Sequence, residues 1–197
     1  MSAYSATATA TASATSSSNA TATASGSSSE EAYNNALNSA STAAYYSLAP
    51  LIHPPYGRKT CEQFCISCFD WRFADDVSNY QNIKGEANNY DNFCLAGGSI
   101  GYNNILPNYE SGRICTDISI DYAYQLHNIS EVRLFDHLDC GAYPLVYTPE
   151  ELAGDGEFKL HVENLNKAEA TILKTFPFIT KVSKFIFDLS YNAIPIP

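Results

Sequence analysis

The residues able to do chemistry fall in two short stretches. "CISCFDWRF", Cys65 to Phe73, sets Cys68, Asp70 and Arg72 at alternate positions around Phe69 and Trp71, and "HLDC" places His137 three residues before Cys140. Two thiols and an imidazole are donors for a borderline-soft cation. Zinc takes such a mixture tetrahedrally, and three protein ligands leave the fourth position for water or substrate. Calcium and magnesium want oxygen donors and suit this set poorly. On spacing alone, buried cysteines acting as small hydrophobes explain the pattern equally well, because short motifs recur by chance.

Elements of regular structure must bring these residues together. "EQFCISC" reads as a strand rich in apolar residues, and "YDNFCLAGG" as a second, ending in a glycine pair that lets backbone come close. Ile114, Ile118, Tyr122 and Leu126, four apart, predict a helix stopped by Asn128. "EVRLFD" is a strand that runs directly into "HLDCGAY". Thr148, Pro149 and Glu151 carry the start signature of a short helix that Gly154 terminates. Val162, Leu165, Ile172 and Phe176 mark the apolar side of a long helix ended by Pro177, and "KFIFDL" supplies a last strand. Strands alternating with helices predict an α/β domain with a mostly parallel sheet flanked by helices. Ligands collect beyond the carboxyl ends of such strands, which is where Cys68, His137 and Cys140 stand.

The 197 residues are 45% hydrophobic and 16% charged, enough for one domain with its own core. That domain is expected over 56–197. Residues 1–29 are Ser, Ala and Thr repeats without a single charged side chain and are expected to be a disordered tail. Residues 30–55 read as an arm helix, opened by the Ser28-to-Glu31 capping pattern, and a Pro-rich linker. A net charge of -10 without Lys and Arg clusters argues against nucleic acid, and no apolar run reaches bilayer length. The tail lacks both the basic start with apolar centre of a secretory signal and the arginines of a transit peptide. With six cysteines in a chain too large to need staples, the expected setting is cytoplasmic or another reducing intracellular compartment.

"CFDWR" fits Cys-x-Asp-x-Arg and "HLDCGA" fits His-x-x-Cys-Gly-Ala, and together they resemble the two zinc motifs of the β-class carbonic anhydrases, in particular the small, minimal type. The similarity runs across most of Phe64–Leu189. "LAGG" looks like the family's Asn-Ala-Gly loop, and "FPFITKVSKFIFDL" is similar to its closing strand. The resemblance implies a zinc ion on Cys68, His137 and Cys140. It implies a catalytic dyad in which Arg72 holds the Asp70 carboxylate and Asp70 orients the zinc-activated water, a substrate pocket bordered by Ala96, Gly97, Gly98 and Gly141, and reversible hydration of CO2 to bicarbonate and a proton. A homodimer or a higher even oligomer is implied as well. The same scaffold also carries hydrolases of carbonyl sulfide and carbon disulfide, and a catalytically silent zinc-binding dimerisation domain is the alternative of a different class.

The chain departs from the pattern in places. Cys94 and Leu95 stand where the family usually has Arg and Asn, Asp136 replaces a common Gly, and Phe69 and Trp71 occupy positions often held by small residues. A second cysteine cluster of Cys61 and Cys65 is conceivable, but no partner ligands stand out in sequence. His127 closes a helix, His161 lies on the long helix, and no motif selects either.

Overall fold

The computed structural model describes residues 4–13, 17–26 and 59–197. They fall in two units, on either side of Arg58. In the first, β1 (Tyr4–Ser13) and β2 (Ser17–Gly26) form an antiparallel hairpin whose register sets Thr7 opposite Thr23 and Ala8 opposite Ala22. Alternating β-branched Thr favours extended backbone, and no like charges oppose pairing. The expected arm helix and linker at 30–55, and the expected domain start at 56, lie outside the described residues.

The second unit is the α/β domain. Its sheet has the order β4-β3-β5-β6-β7, built from β3 (Gln63–Cys68), β4 (Tyr90–Leu95), β5 (Glu131–His137), β6 (Lys181–Phe187) and β7 (Ala193–Ile196). The first four are parallel to their neighbours, and β7 returns antiparallel along β6. β3 is buried along nearly its whole length, as a central parallel strand covered on both faces must be.

Alternation along the strands divides the core. Phe64, Ile66, Leu134 and Ile186 face one side, where α2 (Ser99–Tyr102), α3 (Glu110–His127) and α5 (Gly156–Thr175) pack, with Leu165, Ala168 and Ile172 of α5 fully buried. Cys65, Phe135, Phe185 and Phe187 face the other, beneath Phe73 and Val77, the latter on α1 (Asp76–Ile83). α4 (Pro149–Leu152) has the capping box its sequence announces, Thr148 accepting from the Glu151 N–H while Glu151 accepts from the Thr148 N–H.

The helix at 110–127 is where the sequence led it to be expected, but its orientation is the reverse of what bulk suggests. Its buried residues are Thr116, Ile120 and Ala123, whereas Ile114, Ile118, Tyr122 and Leu126 are exposed. Spacing identifies a helix and a stripe; it does not say which stripe the sheet takes. Here the smaller set, at four- and three-residue intervals, fits against the strands. Among the described residues no helix is long and apolar enough to cross a membrane.

Candidate metal centre

β3 and β5 are adjacent and parallel, yet the chain leaving β3 crosses to β4 on one side and the chain leaving β5 crosses to β6 on the other. Such a divergence opens a crevice at the carboxyl ends of the two strands. Cys68 is the last residue of β3 and His137 the last of β5. Cys140 follows on the loop that Asp139 bends through a left-handed backbone, φ 56°. The donor atoms of Cys68, His137 and Cys140 all lie within 4.8 Å of one another.

The ring of His137 is prepared for a metal. Its Nδ1 lies 2.9 Å from the Leu138 carbonyl and must carry the proton to donate there, so Nε2 holds the free lone pair. That Nε2 is buried and has no hydrogen-bond partner. A buried acceptor left bare costs about 1–3 kcal/mol, which a cation between it and two sulfurs would remove. Phe73 stacks on the imidazole at 4.2 Å and fixes its plane. The set fits zinc in donor type, number and preparation. A hydrogen bond from the Cys140 thiol lowers the pKa of Cys68 and correspondingly raises that of Cys140.

Asp70 and Arg72 sit at the mouth of this group. Arg72 donates to Asp70 from its backbone N–H at 3.0 Å, from Nε at 3.1 Å and from Nη2 at 2.8 Å. These bonds, led by those of the guanidinium, hold the Asp70 carboxyl down to about 2. Its Oδ2 lies 3.8 Å from His137 Nε2, beside the donor set. Arg72 is shared: Nη1 reaches the Asp139 carboxylate at 2.6 Å and Nη2 the Asp139 carbonyl at 2.8 Å. The dyad is therefore tied to the loop that carries Cys140. Asp139 did not stand out in sequence, where it reads only as the residue between two donors.

A cleft of about 550 Å³ opens here, bordered by Ala96, Gly97 and Gly141 along with Cys68, Asp70 and Cys140. Its mouth is apolar, with Phe69, Trp71 and Leu145 exposed around it. Leu106, from the segment after α2, forms part of the wall and was unmarked in sequence. Gly98 stands apart from the cleft lining. It is the N-cap of α2 with φ 53°, and a Cβ there would lie 2.3 Å from Asp136 Oδ1.

No family model matches the chain. An uncharacterized protein of Rickettsia bellii (strain RML369-C) is 32% identical over 125 residues, which are 63% of this chain and 74% of that protein. The chain belongs to the same family as this rickettsial protein. An uncharacterized protein of Rickettsia conorii (strain Malish 7) is 34% identical over 125 residues, 63% of this chain and 66% of that protein. Among solved structures, a β-carbonic anhydrase of the fungal pathogen Aspergillus fumigatus matches with a TM-score of 0.43 and 16% identity, covering 83% of this chain and 88% of that one.

Behind these donors lies a polar cluster whose members share no sequence motif. Asp136, one residue before His137 on β5, is buried and accepts from the Ser99 N–H at 2.9 Å, from the Ser99 hydroxyl and from His161 Nδ1 at 2.9 Å. Burial pushes the His161 pKa down, but Asp136 and Glu157 outweigh it and the net direction is up. Glu157, one turn before His161 on α5, accepts the Cys140 N–H at 3.0 Å. Asp136, His161 and Glu157 thus tie the loop after β5 to α5. A signal existed: a His on the apolar side of a long helix with a Glu four residues earlier.

The Gly98 position follows from this cluster. Gly98→Ala is expected to destabilise the fold by about 1–3 kcal/mol, through positive-φ strain and displacement of Asp136. A lower denaturant midpoint at unchanged slope is the expected reading; an unchanged midpoint contradicts the account.

Proposed function

We propose that this protein is a zinc-dependent lyase that hydrates CO2 reversibly to bicarbonate and a proton. The carrying observation is the juxtaposition of a Cys-His-Cys donor set, bare at His137 Nε2, with a carboxylate clamped by Arg72 at the mouth of an apolar cleft. Zinc on Cys68, His137 and Cys140 would supply a Lewis acid that makes hydroxide available from water near neutral pH.

The chain's own residues do the rest. Asp70 is an acceptor throughout the neutral range, since Arg72 keeps it ionised. One of its oxygens can take the proton-bearing side of a water and turn a lone pair towards the cleft. Arg72 fixes that orientation through three donors and spans to Asp139, so the carboxylate stays off the metal position. The apolar walls suit a small linear molecule without charge, and Ala96, Gly97 and Gly141 leave room beside the donors. The charged product finds few polar groups there to hold it.

Stopped-flow CO2 hydration by zinc-loaded protein tests the reading. Turnover well above buffer, lost on removal of zinc with a chelator and regained on its return, is the expected result. Hydration no faster than buffer at full zinc content contradicts it. Carbonyl sulfide hydrolysis in its place would assign the related chemistry, and neither would leave the silent zinc domain.

A homodimer, or an even multiple of it, belongs to the same proposal. The exposed stripe Ile114, Ile118, Tyr122 and Leu126 on α3 is apolar surface of the kind a second copy would cover. Light scattering at micromolar concentration is expected to give at least twice the chain mass, and a monomer contradicts it.

A further inference from the structure

The amino end of the sheet carries a second group of donors. Cys61 enters β3 from below, Asp91 is the second residue of β4, and His127 is the last residue of α3. Their donor atoms lie within 4.8 Å of one another. Cys61 precedes β3 and Cys68 is its last residue; β3 itself spans roughly 17 Å at some 3.3 Å per residue, so the group is separate from the first centre. Sequence alone offered Cys65 as the neighbour of Cys61; the chain bends at Glu62 before β3 begins, so Cys61 packs against one core cluster while Cys65 is buried in the other, with Phe135 and Phe185.

The backbone fixes all three residues. Cys61 N–H donates to the His127 carbonyl at 3.1 Å, and Glu62 N–H to the Asn89 carbonyl at 3.3 Å, which clips the start of β3 to the end of α3 and to the entry of β4. Asn128 takes the left-handed conformation, φ 60°, that ends the helix directly after His127. Asp91 Oδ2 lies 2.7 Å from His127 Nδ1 and 3.6 Å from Cys61 Sγ, so one oxygen stands between sulfur and nitrogen. Asp91 and His127 keep side-chain exposures of 30% and 39%, which leaves a route for a cation and for water.

An ion pair at a helix end would account for Asp91 beside His127, at about 0–1 kcal/mol for an exposed pair. It leaves unexplained a thiol held against the same oxygen. Tetrahedral zinc sets its donors about 3.3–3.8 Å apart, given its bond lengths; the sulfur–oxygen separation of 3.6 Å falls in that range, and the 2.7 Å oxygen–nitrogen contact is a hydrogen bond that a cation would open.

We propose that Cys61, Asp91 and His127 form a second metal site, for zinc or a like divalent transition ion, with water completing the coordination. One sulfur, one nitrogen and one carboxylate select that class over calcium or magnesium. On binding, the thiol proton passes to solvent and the sulfur ligates as thiolate, while the proton shared by His127 Nδ1 and Asp91 leaves that contact as the ring takes the Nε2–H tautomer. The ion would join β3, β4 and α3 at the end of the sheet away from the cleft. This rests on none of the proposed catalysis.

The test uses the full chain carrying Cys68→Ser and Cys140→Ser, which removes both sulfurs of the first centre. Titration with Co2+ is expected to give one equivalent with a thiolate-to-cobalt absorption band, and adding Cys61→Ser or His127→Ala should weaken binding by at least about 10–100-fold. In the unsubstituted chain, Zn2+ should slow alkylation of Cys61 about tenfold or more, because the metal holds the reactive thiolate. That second measurement decides should the double variant fail to fold. A band that persists without Cys61, or Cys61 alkylated at the same rate with and without Zn2+, would overturn the site.

Discussion

Cys140→Ser should leave a folded protein that binds zinc at the first centre at least about 100-fold more weakly and hydrates CO2 no faster than buffer. The substitution changes one atom. The backbone N–H of residue 140 keeps its bond to Glu157, and the left-handed turn at Asp139 is untouched, so the loop has no reason to move. What is lost is a soft anionic donor. A serine hydroxyl stays protonated at neutral pH and is a poor zinc ligand, which leaves Cys68 and His137 as two ligands where three are needed. Elemental analysis of protein purified without chelators, with circular dichroism as the control for folding, gives the answer. Full zinc retention in this variant would show that Cys140 is a buried thiol and no ligand.

Much of this centre was legible because its residues lie at strand ends. The strands show as apolar runs bounded by polar residues, and Cys68 and His137 fall at the last position of two of them. Parallel topology then makes those ends neighbours. The polar support behind the donors was not legible, because Asp136, Ser99, His161 and Glu157 come from three separate elements and meet only on packing. Asp136 in particular reads as a misplaced charge beside a ligand, yet it is the acceptor on which α2 and α5 converge. The second donor group was hidden for the same reason. Cys61, Asp91 and His127 are separated by 30 and 36 positions along the chain and share no motif.

The outward stripe of α3 shows a different limit. Periodicity sees apolar residues four apart and has no means to know that Thr116, Ile120 and Ala123 are the better fit to the sheet. The hairpin at the amino terminus is a limit of composition. Low apolar content argues for disorder, whereas alternate threonines favour extended backbone, and composition alone does not weigh one against the other.

Asp70→Asn should retain zinc and lose about 10²–10⁴-fold in CO2 hydration, the range for removing one positioned proton-handling group. Asn has the size of Asp but no charge, so Arg72 would keep only Asp139 as an ionic partner and residue 70 would accept more weakly from water. The pH dependence separates this from a titration effect. Arg72 holds the Asp70 carboxyl down to about 2. As a depressed acid, its stabilising contribution is complete above its ordinary value and is lost only as pH falls through the folded one. Asp70 is therefore ionised over the whole working range, and the wild-type profile between about pH 6 and 9 reports another group. Asp70→Asn should scale that profile down without moving its midpoint. Arg72→Ala should behave otherwise. Freed of its guanidinium, Asp70 has only the 3.8 Å gap to His137 Nε2 between itself and the donor set, and can close the open position as a fourth ligand. That variant should keep zinc, be least active at low pH, and recover as pH rises and hydroxide competes with the carboxylate. Stopped-flow rates across pH, with zinc content measured for each protein, distinguish the two. Asp70→Asn hydrating CO2 at the wild-type rate would remove the dyad from the mechanism, and an Arg72→Ala profile parallel to wild type would show that Arg72 does not hold Asp70 off the metal.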